Sequence, residues 1–177
     1  MDAKALLELI AKRNFEDLCE TTSTVEEAVS WAVVPLKEGE YLNTDGAILS
    51  MVQHVACCKR MYASAAFMDG EVRWRDCADR YDAIGSDWAK TVEDLRDAQR
   101  YWLASWNGLT AEDLEGIRLS IRGKELPAWR IINAMAQHDA YHAGQIEILK
   151  VTLQPSETPP PSMGDDIRKY CRDLPNW

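Results

Sequence analysis

Four stretches of this chain, each several turns long, repeat apolar side chains at helical spacing and are separated by residues that break helices. Residues 3 to about 20 place Leu7, Ile10, Ala11 and Leu18 on one side. A second stretch, running to about Met68, aligns Ala47, Ser50, Met51, His54, Cys58, Met61, Ala65 and Met68. Residues 86–106 align Trp88, Val92, Leu95, Gln99, Trp102, Leu103 and Trp106. The last stretch, to about Leu153, aligns Ile131, Met135, His138, His142, Gln145 and Leu149. An apolar stripe has to be buried against another element, and four of them in 177 residues predict an all-α four-helix bundle with a single core.

The breakers set the boundaries. Thr44 or Asp45 suits the N-cap of the second stretch, Asp69-Gly70 its end, and Asn107-Gly108 the end of the third. Pro127 suits the first turn of the fourth. Residues 24–34 read as a short helical piece stopped by Pro35, followed by a polar loop from Lys37 to Gly46. Residues 71–85, rich in Arg and Asp, give no clear period. Thr110-Ala-Glu-Asp113 has a capping pattern, and Ile117, Leu119 and Ile121 alternate with Arg118, Ser120 and Arg122 in an extended segment that turns at Gly123. The bundle domain is expected over residues 1–154. Residues 155–177 form a proline-rich C-terminal tail with a short helix at Asp165 to Arg172, either folded back as a lid or loose.

Charge and cysteine usage narrow the function. With 29 acidic and 20 basic residues the formal charge is −9, which disfavours nucleic acid as a general partner. The clusters Lys59-Arg60, Arg73 with Arg75, and Arg118 with Arg122 and Lys124 are small and read as solvated surface or as a local anchor for an anionic group. No apolar run has the length of a signal peptide or a membrane span, so a cytoplasmic location without membrane contact is expected. The five cysteines, at 19, 57, 58, 77 and 171, are odd in number and lack Cys-x-x-Cys spacing; they read as reduced, packed thiols.

The chain has only three histidines, and all three fall on inward stripes. His138 and His142 are four residues apart, a rotation of about 400° on a helix, so both imidazoles project from one face. His54 interrupts the other stripe near its middle. If those two helices are neighbours, the three rings meet and form a divalent-metal site, with one or more coordination positions left for water or substrate. The competing reading is three core histidines, each satisfied by hydrogen bonds. Cys58, one turn beyond His54, is a candidate fourth ligand that would close the site. Gln99 is a candidate hydrogen-bond partner for the site, or a core amide satisfied by backbone. No side chain is assigned as a general base: Asp139 and Tyr141 flank the ligands but point off their stripe, although Asp139 can orient an imidazole from behind.

His138-x-x-x-His142-x-Gly144-Gln145-Ile146, together with the earlier helix carrying His54, resembles the DinB-like (DinB/YfiT) superfamily over roughly residues 3–153. The resemblance implies an up-down-down-up four-helix bundle, a homodimer, and a divalent ion held by His54, His138 and His142. The ion would be zinc or nickel foremost, with iron or manganese as further candidates. Tyr141 stands where members frequently carry another histidine, and Gln154-Pro155 replaces a glycine-proline ending. The implied activity is metal-dependent activation of a low-molecular-weight thiol cosubstrate or of water toward a small-molecule substrate, S-transfer being favoured over hydrolysis. The alternative is a non-catalytic stress-response or binding protein that keeps the metal site.

Overall fold

The computed structural model describes residues 2–34 and 46–177. Asp2 opens the first helix, α1 (Ala3–Ser23), its carboxylate accepting from the Ala5 amide at 2.8 Å. The single turn α2 (Glu27–Ser30) follows. Helix α3 (Ile48–Phe67) begins after Ala47; Pro35, Thr44, Asp45 and most of the expected loop lie outside the described residues. Then come α4 (Trp74–Ile84) and α5 (Trp88–Trp106), the latter capped by Asp87, which accepts from the Lys90 amide at 2.9 Å. After a hairpin of β1 (Ile117–Leu119) and β2 (Glu125–Pro127), the chain enters the longest helix, α6 (Ala128–Thr152), and ends with α7 (Met163–Cys171).

The four long helices α1, α3, α5 and α6 make the bundle. Helix α1 lies against α6, and α3 packs against both α5 and α6 while also touching α4, α7 and the hairpin. Such a central position requires burial on every side, and α3 is buried almost throughout, Lys59 and Arg60 included. These two were expected as solvated surface or as a local anchor for an anionic group. Their charges instead meet carboxylates on two different neighbours: Lys59 Nζ donates to Asp139 on α6 at 2.6 Å, and Arg60 grips Asp94 on α5 through two bonds of 2.7 and 2.9 Å. Consecutive helical residues point about 100° apart, so one dipeptide reaches both flanking helices.

Residues 71–85 gave no clear period because their helix is short and strongly charged. Trp74, Cys77, Ala78 and Tyr81 form the buried side of α4, and Asp76 secures its first turn by accepting from the Arg73 amide at 2.8 Å. That side is covered by the C-terminal tail. Met163, Ile167 and Cys171 of α7 pack with it and with Cys57 and Met61 of α3, forming a third apolar cluster beside the two inside the bundle. Ion pairs from Arg168 to Asp79 and Asp82 flank the contact, and the Trp74 indole donates to the Pro175 carbonyl at 3.0 Å. The tail therefore folds back.

Thr110 and Asp113 bond reciprocally, as their spacing suggested, around a short 3-10 turn. In the hairpin Arg118 pairs with Leu126, and Gly123 takes a φ of +73° at the turn. Ile117 and Leu119 face solvent, while Ile121 is turned inward. No described helix is long and apolar enough to cross a membrane.

Candidate metal centre

Helices α3 and α6 are neighbours, and their histidines meet midway along the bundle. His138 Nε2 lies 3.2 Å from His54 Nε2 and 3.1 Å from His142 Nε2, and one nitrogen from each ring falls within 4.8 Å of the others. No other group of this kind occurs among the described residues. The rings are tilted or edge-on to one another, with centroids 4.4–5.2 Å apart. Nitrogens point at a common centre; faces do not stack.

The chemistry of these donors fits a cation. A neutral imidazole nitrogen offers one lone pair or one proton, so His138 Nε2 cannot bond well to two ring nitrogens at once. A cation accepts all three lone pairs. For metal–nitrogen bonds of about 2.0–2.1 Å, ligand nitrogens sit roughly 2.8–3.0 Å apart in octahedral and roughly 3.3–3.4 Å apart in tetrahedral arrangement, values that bracket the two short contacts of 3.1 and 3.2 Å. Burial keeps the rings neutral and ready to ligate. It lowers His54 to about 3, with the His142 charge adding to the effect; it lowers His138 to about 2, helped by His142 and His54, and His142 to about 4, with the Gln145 amide acting the other way.

The surroundings differ from several expectations. Asp139 does not orient an imidazole, because its buried carboxylate is engaged by Lys59. The Nδ1 atoms of His138 and His142 are buried without a hydrogen-bond partner among the described residues, so neither ring has the carboxylate support common behind metal ligands. Ring orientation rests on packing, including the edge-on contact of Tyr141 with His142 at 5.1 Å between centroids. Tyr141 is itself exposed, and its hydroxyl accepts from Gln145 at 2.9 Å. Gln99 is buried, but its carbonyl oxygen has neither a backbone partner nor a site partner. Cys58 Sγ approaches His54 Nε2 to 3.6 Å without joining the three converging nitrogens, and burial holds its thiol well above the usual range.

His54 and His138 also line a cavity of about 200 Å3. Its walls come from α3 (Cys58, Tyr62), the hairpin (Ile121, Arg122), the start of α4 (Trp74) and the folded-back tail (Met163, Ile167, Tyr170). The tail's place in this wall was open in the sequence, because nothing in residues 155–177 specifies which face α7 covers. A signal was present: Met163, Ile167 and Cys171 recur at four-residue spacing, matching the apolar side of α4.

Comparison with curated proteins finds no match. Among sequence families, residues 11–146 match the DinB superfamily, a span that takes in all three histidines and all four long helices in whole or large part. With most of its length matched and a helical bundle of the expected kind around the histidines, the chain belongs to the DinB superfamily.

Proposed function

We propose that this protein is a metal-dependent enzyme acting on small molecules, with His54, His138 and His142 as the ligands of one divalent ion. The observation that carries the reading is the convergence of three imidazole nitrogens, two of whose rings, His54 and His138, line a cavity. Once bound, the ion supplies Lewis acidity that makes a thiol or a water nucleophilic at neutral pH. Zinc and nickel suit three imidazoles best, with iron or manganese as further occupants.

The cavity's own residues favour an external nucleophile. Burial raises the Cys171 thiol to about 11 and also holds Cys57 above its ordinary range, so these walls present thiols and no thiolate at neutral pH. Trp74, Ile121, Met163 and Ile167 exclude water from one side and offer apolar contact to a substrate body. Conjugation of a low-molecular-weight thiol to an electrophile, R–SH + R′–X giving R–S–R′ + HX, is the favoured reaction over hydrolysis, because the apolar walls suit a carbon electrophile better than bulk water.

The test compares zinc-loaded and nickel-loaded protein in two assays: coupling of cysteine or glutathione to 1-chloro-2,4-dinitrobenzene, and hydrolysis of 4-nitrophenyl acetate. Metal-dependent thioether formation, abolished in His138→Gln, supports the proposal. Ester hydrolysis alone moves the assignment to a hydrolase. A fully loaded protein inert in both assays, and unable to bind any thiol, favours a non-catalytic binding protein.

A further inference from the structure

Arg122 follows the inward-facing Ile121 at the hairpin tip and reaches the cavity wall. Among the described residues it is the only lysine or arginine lining that cavity, and no hydrogen bond or ion pair ties it to another described residue. Its charge acts on Cys58 and Tyr62 of α3 and on Cys171 of α7, three groups that wall the same space. Cys58 in turn touches His54. The guanidinium and the rings of His54 and His138 therefore address one small volume of about 200 Å3.

We infer that the cavity takes a small anion, its carboxylate or phosphate end held by the planar fork of Arg122 and its other end presenting a sulfur or oxygen donor to His54, His138 and His142. The donor end rests on the three-histidine reading; the anionic end rests on Arg122 alone.

Calorimetric titration of the full chain separates the two. With cobalt(II) bound, 3-mercaptopropionate is expected to bind at least tenfold more tightly than 2-mercaptoethanol. Arg122→Gln removes that preference and Arg122→Lys keeps part of it. Equal affinities for the two thiols, or an Arg122→Gln variant that retains the preference, overturn the inference even though cobalt is bound. Propionate and inorganic phosphate, titrated into metal-free protein, read the anionic end without the histidines and show which anion fits better. Either one binding at least fivefold more tightly to wild type than to Arg122→Gln supports that end, and equal or absent binding overturns it. Failure of the histidine reading shows separately, as no cobalt taken up.

Discussion

His54, His138 and His142 sit buried as neutral rings, and that arrangement has a cost that depends on pH. Their folded-state values of about 3, 2 and 4 lie below the roughly 6.5 of an exposed histidine, so protons bind the unfolded chain in preference. The stability they allow is fully present above about pH 6.5 and is lost as pH falls toward those lower values. Metal-free protein is accordingly expected to melt at progressively lower temperature between pH 6.5 and 5, before most carboxylates titrate, and His142→Gln should flatten the slope. A melting temperature constant over that interval would show that the rings are not held neutral by burial. His138 and His142 could be paired from the sequence because four-residue spacing fixes a shared helical face. The fates of Asp139 and Lys59 could not, since an ion pair between residues 80 apart leaves no mark in either local pattern.

That ion pair matters for how the helices are held. Lys59 and Asp139 join α3 to α6 within two turns of His54 and beside His138, with burial lowering the lysine and raising the aspartate while each partner opposes the shift in the other. Asp139→Asn leaves an uncompensated buried ammonium and is expected to cost about 3–5 kcal/mol in chemical denaturation, whereas the double change Lys59→Met with Asp139→Leu recovers most of that loss. Full stability in Asp139→Asn would mean that the pair contributes nothing to helix register. A second contact tests the tail. Gly164 of α7 lies so close to α4 that an added Cβ would meet the Ala78 carbonyl oxygen at 2.7 Å. Gly164→Ala should therefore destabilise the docking of α7 by about 1–3 kcal/mol and expose residues 155–162 to limited proteolysis. Cleavage no faster than in wild type would mean that α7 is not held by this close approach.

The bundle itself was legible because α1, α5 and α6 each have one buried face, whose 3.6-residue period survives in the sequence. Helix α3 was found for the same reason, yet its stripe understated its role, since a helix surrounded on all sides buries charged residues that a one-faced reading sends to the surface. Helix α4 escaped assignment, and the tail helix expected at Asp165 to Arg172 was found without its docking place: each is short, and each completes its apolar side only against the other. The three-histidine cluster follows from two stripes that the sequence shows and one adjacency that it does not, the packing of α3 on α6. Everything proposed about activity depends on whether that cluster holds an ion. Elemental analysis of untagged wild-type protein beside His54→Ala and His142→Ala addresses this most directly. About one divalent ion per chain in wild type, lost in both variants, is the expected result; a wild type that carries no metal and takes up neither zinc nor nickel would contradict the account and leave three core histidines in a helical bundle.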